Sequence, residues 1–251
     1  MAFYRNWIGV LELMPGYLAD AACWREDGVF IAITGLHLSV FNAAIVETPG
    51  VLSVARIDRL AQLFSSRGLP HSIQVFSPEP VFSAEALLEA QGYARIFCDP
   101  LRIREGPLAA HPINAAIAVT VVESEAERRE FSHVVTRSFD LLPSAEALIA
   151  LMLRLREGYH VLAWQDGIAV GAGTLIEASG VAGVYNVATM PWARRKGVAA
   201  AIMRVLHGYA LARGYSGTAL AASEMGLPLY DRLGYRAEGY QIAYAPDGVY
   251  V

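Results

Sequence analysis

Short apolar runs and alternating positions organise the second half of the chain. Tyr159 to Gln165 and Ile168 to Glu177 read as two strands, and Asp166-Gly167 between them is a strong hairpin signal. Val181 to Met190 reads as another strand, followed by a helix running through Ala212, a second apolar strand, and the segment Pro228-Leu229-Tyr230-Asp231-Arg232-Leu233-Gly234-Tyr235. Upstream, Ile113 to Val122 is rich in β-branched residues and reads as β. Glu123 to Phe139 reads as a helix with one charged face, and Pro143-Ser144-Ala145-Glu146 begins a helix expected to end at Glu157-Gly158. In the first half, Phe30 to Leu38 and Ser39 to Val46 read as strands, Val54 to Ser66 as a helix, and Ser83 to Gln91 as a short helix. Strands and helices mixed in this order imply an α/β or α+β fold.

The two halves share a series of features at nearly constant offset. Phe41-Asn42-Ala43-Ala44-Ile45 parallels Tyr185-Asn186-Val187-Ala188-Thr189, and the helix ending Ser66-Arg67-Gly68 parallels the one ending Ala212-Arg213-Gly214. Ser72-Ile73-Gln74-Val75-Phe76 matches Thr218-Ala219-Leu220-Ala221-Ala222, and Leu87-Leu88-Glu89-Ala90-Gln91-Gly92-Tyr93 matches Leu229 to Tyr235. The copies differ where chemistry would occur: the first has Glu47-Thr48-Pro49-Gly50 between strand and helix, and Leu88 where the second has Tyr230. We expect two domains, 1–110 and 111–251, divided near Leu108-Ala109-Ala110-His111-Pro112, after the charged stretch Arg102 to Glu105. The first would be a degenerate copy of the second.

Composition narrows the function classes. The 251 residues are 55% hydrophobic, enough to bury a sizeable core, and 20 basic against 24 acidic residues give a net charge of -4. That balance offers no general attraction for nucleic acid or anionic lipid. Cys23 and Cys98 lack metal-ligand or CxxC spacing, so reduced thiols in a cytosolic protein are expected. The six histidines form no metal signature. Met1 to Trp7 lacks the basic start and apolar run of a secretory signal, and Gly or charged residues interrupt every apolar stretch short of a membrane span.

The chemistry concentrates at Arg194-Arg195-Lys196-Gly197-Val198-Ala199, which follows a strand and opens a helix. A helix N-terminus offers unpaired N–H groups and the positive end of the macrodipole, Gly197 lets the backbone approach an anion closely, and small Ala199 avoids crowding it. Three cations there oppose the dipole, a conflict that a bound polyanion relieves. The loop, together with Pro228 to Tyr235 about thirty residues on, resembles the acyl-CoA-dependent N-acetyltransferases of the GNAT superfamily. Arg194, Gly197 and Ala199 satisfy the family pattern of Arg or Gln, two variable residues, Gly, one variable residue, then Gly or Ala. The resemblance covers about residues 115 to 245, and residues 25 to 98 more loosely.

The resemblance implies a tandem acyl-CoA N-acyltransferase fold with a mixed, mostly antiparallel sheet flanked by helices in each half. It implies acetyl-CoA held by Val187, Ala188 and Thr189 on the strand and by Arg194, Arg195, Lys196, Gly197, Val198 and Ala199 on the loop, with Val187 and Thr189 giving backbone contacts. Tyr230 takes the place of the family tyrosine that protonates the departing thiolate or holds its sulfur, and a phenol with a pKa of about 10 is still protonated where a thiol near 8.5 ionises. Leu229, Leu233 and Tyr235 would pack around it, with Gly234 capping the helix. Many relatives carry Asn seven residues before the tyrosine; Ser223 stands there and has a shorter reach.

No covalent nucleophile accompanies the motif, so direct attack by a neutral amine is expected, with Glu177 or Glu224 as candidate base. His160 begins a strand, His133 carries no specific signal, and His207 is expected on a helix surface. Asn186 is open to a substrate or structural role. The acceptor is expected to be a small-molecule amine, with peptide amines less favoured, and the chain a pseudo-dimeric monomer or a homodimer. A CoA-binding sensor or structural protein without turnover is the alternative, and a dinucleotide-binding oxidoreductase is weaker because the Rossmann fingerprint is missing.

Overall fold

The computed structural model describes every residue except 49, 111, 113, 142–144 and 249–251. Pro49 in the first-half loop, His111 at the expected boundary, Ile113 at an expected strand start and Pro143-Ser144 at an expected helix start therefore lie outside the described residues. Along the chain the elements are α1 (Ala2–Leu13), β1 (Ala22–Glu26), β2 (Val29–Ile33), β3 (Ala43–Val46), α2 (Val54–Ser65), β4 (Ser72–Ser77), α3 (Glu85–Ala90) and β5 (Tyr93–Glu105). There follow β6 (Ala118–Val121), α4 (Glu125–Phe139), α5 (Ala145–Met152), β7 (Gly158–Gln165), β8 (Ile168–Ala178), β9 (Val181–Thr189), α6 (Val198–Ala212), β10 (Gly217–Ala221), α7 (Leu227–Arg232) and β11 (Arg236–Pro246). The class is α/β, with mixed, mostly antiparallel sheet flanked by helices. Two compact units form: residues 1, 8–101 and 238–251, and residues 2–7 and 102–237.

In the first unit β1 pairs antiparallel with β2, β2 antiparallel with β3, β3 parallel with β4, and β4 antiparallel with β11. Ile57, Leu60 and Phe64, one stripe of α2, pack over Ile31, Ala44, Ile73 and Val75. The strands expected at Phe30 to Leu38 and Ser39 to Val46 are corrected to the shorter β2 and β3, with a 3-10 turn at Ser39–Phe41. Asn42 is the reason. Its Oδ1 accepts from the N–H groups of Thr34 and Gly35, and its Nδ2 donates to the carbonyls of Leu36, Leu38 and Pro70, replacing ladder bonds with side-chain ones.

In the second unit β6, β7, β8 and β9 form an antiparallel run, and β10 joins β9 in parallel. On one face lies α6, whose Val198, Ile202, Leu206 and Ala210 recur every four residues and pack on Val161, Val170 and Leu175. Gly171 and Gly173 share the face beneath it. A Cβ on Gly171 would lie 2.5 Å from Val198, and one on Gly173 2.4 Å from Ile202, so only glycine lets α6 approach this closely. On the other face Phe131, Val134 and Val135 of α4 pack with Ile149 of α5 over Leu162, Ala172 and Ala188.

The start of α4 is fixed locally: Ser124 Oγ accepts from Glu127 N–H while the Glu127 carboxylate accepts from Ser124 N–H, a reciprocal cap. The strand expected from Ile113 is corrected to Ala118–Val121, because Asn114 makes a turn, its Oδ1 accepting from Ala116 N–H and its carbonyl from Ile117 N–H. The helix expected to reach Glu157 stops at Met152, where Arg154 and Leu155 switch to bonds three residues back. The charged stretch Arg102 to Glu105 is the end of β5.

Candidate functional site

β9 and β10 pair only through Thr218↔Ala182 and Ala219↔Gly183. Beyond Gly183, β9 runs on to Thr189 with no register partner in β10, which leaves its outer edge unpaired where it approaches the loop. The first unit lacks this opening: β3 stays paired with β4 over its full length, from Ala43↔Ser72 to Val46↔Val75.

Within the unpaired stretch the β8–β9 register slips between Ala172↔Ala188 and Thr174↔Tyr185, setting Asn186 and Val187 against Gly173 alone. This is a bulge, and Asn186 takes φ 53, a left-handed conformation that Asn tolerates better than most residues. Its Nδ2 lies 3.7 Å from Met152 Sδ at the end of α5. Met190 N–H donates to Val170 O across the pair. By alternation, the N–H and C=O of Thr189 face away from β8, onto the unpaired side.

After β9 come a 3-10 turn at Pro191–Ala193, Arg194 in extended conformation, Arg195 at φ 64 and Gly197 at φ 87. Gly197 is the N-cap of α6 and supplies no side-chain cap, and the first turn has no acidic residue. The leading N–H groups of α6 are therefore left for a ligand or water. The corresponding helix of the first unit, α2, is capped by its own chain: Ser53 Oγ accepts from Arg56 N–H.

Arg194 braces the loop, its Nε donating to Thr189 O at 3.4 Å and its Nη2 to Ser138 O on α4 at 3.1 Å. Asn114 Nδ2 donates to Lys196 O at 2.8 Å from the other side. Arg195 and Lys196 are exposed, and Lys196 Nζ stands 5.7 Å from the centre of the half-exposed Trp192 ring. Val198 is buried and Ala199 half-buried at the head of the helix.

Tyr230 is buried in α7, and burial pushes its phenol well above the ordinary value, so it stays protonated at neutral pH. A Cβ on Gly226 would lie 2.8 Å from its ring, and Tyr235 meets it edge-on at 5.6 Å between centroids. Tyr235 ends a buried chain of hydrogen bonds. Gly106 O can only accept, so His207 donates to it from Nε2 at 2.7 Å; Nδ1 then accepts from Thr218 Oγ1 at 2.8 Å, and Thr218 Oγ1 accepts from the Tyr235 hydroxyl at 2.5 Å. The expectation of a surface His207 is thus corrected: it is 1% exposed, and burial lowers its pKa.

Ser223 is turned to the backbone, its Oγ accepting from Gly226 N–H at 3.3 Å, and Glu224 beside it is exposed. Glu177 is not brought to the loop. Arg213 grips its carboxylate side-on, at 3.1 and 3.2 Å. Its register partner Ala182 is six positions along β9 from Ala188, about 20 Å at the usual strand rise. His133 is exposed on α4, and His160 is buried with Nδ1 3.0 Å from Thr174 Oγ1, its pKa lowered to about 4 by burial. Three features escaped the sequence reading: the Asn114 and Arg194 braces, the bulge at Asn186, and the His207 chain. An Asn inside an apolar strand was the one available signal, for the bulge.

Residues 124–237 match the family model of the acetyltransferase (GNAT) domain. Over the whole chain the fold is similar to a GCN5-related N-acetyltransferase from Kribbella flavida, with 20% identity, coverage of 97% of this chain and 96% of that one, and a TM-score of 0.73. A GCN5-related N-acetyltransferase from Sphaerobacter thermophilus has 17% identity, coverage of 89% and 79%, and a TM-score of 0.66. A tandem GNAT protein from the clavulanic acid biosynthesis pathway has 14% identity, coverage of 96% and 94%, and a TM-score of 0.59. No curated protein matches the chain. Among the described residues no helix is long and apolar enough to cross a membrane, and no group of three or more His, Cys, Asp or Glu could hold a metal ion.

Proposed function

We propose that the second unit transfers an acetyl group from acetyl-CoA to the primary amine of a small molecule by direct attack. The observation that carries this reading is the coincidence of two open features: the unpaired edge of β9 and the uncapped N-terminus of α6, flanked by Arg195 and Lys196. A pyrophosphate fits the second, because backbone N–H groups and the helix dipole favour anions there. The first suits a pantetheine arm that completes β9 as a strand would. When bound, acetyl-CoA supplies an activated acetyl group as a thioester.

The residues then divide the work. Thr189 N–H faces the unpaired side and stabilises negative charge on the carbonyl oxygen, with Val187 in the bulge beside it. The attacking amine forms the C–N bond and the C–S bond breaks with its electron pair going to sulfur. Tyr230 gives its proton to that sulfur. Glu224, exposed next to Ser223, takes the proton lost by the amine, directly or through water. Arg194 and Asn114 act at a distance by holding the loop. The paired β3 and β4 and the self-capped α2 support a first unit that kept the fold without the acyl-donor site.

Incubation with isotope-labelled acetyl-CoA and a panel of small amines tests the reading. Labelled amide together with stoichiometric free thiol is expected. Tight CoA binding with no labelled amide from any amine would replace it with a non-catalytic CoA-binding role.

A further inference from the structure

A groove of about 620 Å³ runs between α4 and α5, with Glu125, Arg128, Arg129 and Arg137 on one wall and Glu146 and Arg154 on the other, and no residue of the Gly197 loop lines it. Four arginines against two glutamates make it locally basic in a chain of net charge -4. Phe131 of α4 and Leu153, just past α5, pack in one cluster beneath the groove, and Arg128, Arg129 and Arg154 all line it. Glu125 pairs with Arg128 at 3.2 Å, and among the described residues no ion pair involves Arg129, Arg137 or Arg154.

Helix electrostatics account for part of this pattern. Arg137 sits in the last turn of α4, where a cation complements the dipole. Arg128 and Arg129 stand near the opposite end, where the dipole disfavours them and where Glu125 and Glu127 already serve the first turn. Arg154 adds a fourth guanidinium to a groove that holds only Glu125 and Glu146 as carboxylates, and Glu125 is already paired with Arg128. Arg129, His133 and Arg137 are spaced four apart, a stripe about 12 Å long at the helical rise. A volume of this size suits a small metabolite rather than a single ion.

We propose that this groove binds a small polyanion carrying two or more carboxylate or phosphate groups. Guanidinium groups on α4 and just past the end of α5 grip its oxygens through paired N–H donors, and Ser132 and Thr136 also line the groove. The site is separate from the acyl-donor site and does not depend on transferase activity.

Calorimetric titration of the intact protein with inorganic pyrophosphate and with citrate tests it, and the better ligand of the two separates a phosphate from a carboxylate source. One of them is expected to bind. Arg129→Ala with Arg154→Ala should weaken that binding by about tenfold or more, with thermal unfolding unchanged because both side chains are exposed. Arg195→Ala with Lys196→Ala, which removes the separate pyrophosphate site at the start of α6, should leave unchanged both citrate binding and the share of pyrophosphate binding that depends on Arg129 and Arg154. The proposal is overturned if neither anion binds at millimolar concentration, if the Arg129/Arg154 variant binds as well as the native protein, or if only the Arg195/Lys196 variant loses binding.

Discussion

The Tyr185 hydroxyl donates to Asn6 Oδ1 at 2.5 Å, tying the first turns of α1 to the strand that carries the bulge. Asn6 is completely buried, and its Nδ2 donates to Ile176 O at 2.9 Å and Val181 O at 2.7 Å, across the turn joining β8 to β9. A Cβ on Gly183 would lie 2.0 Å from Asn6 Oδ1, so the strand is glycine where the amide docks. Asn6→Ala would remove a side-chain hydrogen bond from each of two buried carbonyls and take away the acceptor of a buried phenol. We expect a loss of about 3 kcal/mol in urea unfolding; a change below about 0.5 kcal/mol would show the contact to be incidental.

Tyr230 and Glu177 separate by chemistry. Tyr230→Phe keeps the packing against Tyr235 and removes the proton donor, so turnover should fall about a hundredfold while acetyl-CoA affinity holds. Glu177→Gln breaks an ion pair whose Arg213 partner is 57% exposed, which should cost little stability and leave turnover near the native value. Steady-state kinetics on both variants decide the matter. A large loss of turnover in Glu177→Gln, with Tyr230→Phe unaffected, would reverse these roles.

Buried histidines should make the protein acid-sensitive. His160 and His71 are each lowered by burial from 6.5 to about 4, and His207 is lowered in the same direction. The unfolded chain protonates these groups first, so each stabilises the fold above pH 6.5 and that contribution is lost as pH falls, toward 4 for His160 and His71. The size is on the order of 3 kcal/mol for His160. Asp99, raised to about 6 by burial, works oppositely in the first unit and offsets His71. Urea midpoints should therefore drop between pH 6.5 and 4, and His160→Gln should flatten the slope; an unchanged slope would remove His160 from the account.

Gly197→Ala tests the backbone of the loop. At φ 87 an alanine is strained by about 1–2 kcal/mol, while its Cβ meets only Asn114 at 3.5 Å, an ordinary contact. The loop should shift, so CoA affinity should fall by more than global stability does. Equal losses in calorimetry and in thermal unfolding would mean that Gly197 serves the fold alone.

Period and punctuation made much of the second half legible. β7, β8, β9 and α6 lie within a residue or two of their expected ends, because each is a single apolar stripe bounded by Gly, Asp or Pro. The elements the sequence did not mark, among them α1, β1 and β5, carry apolar residues without a clean period, and the place of α1 depends on distant partners such as Tyr185 for Asn6. At the site, the loop from Arg194 to Gly197 stood out because charge and glycine coincide at a helix start. The bracing of Arg194 by Ser138 and the burial of His207 could not be read, since both arise from residues far off in sequence. Asn42 and Asn186 show the limit well: the repeat aligns them, yet one ties a loop together while the other opens a bulge.

Calorimetric titration of the native protein with CoA, set beside Arg195→Ala with Lys196→Ala, tests the central claim most directly. The open N-terminus of α6 predicts saturable one-to-one binding that weakens about tenfold or more in the variant. No heat of binding in the native protein, or equal affinity in both, would contradict it.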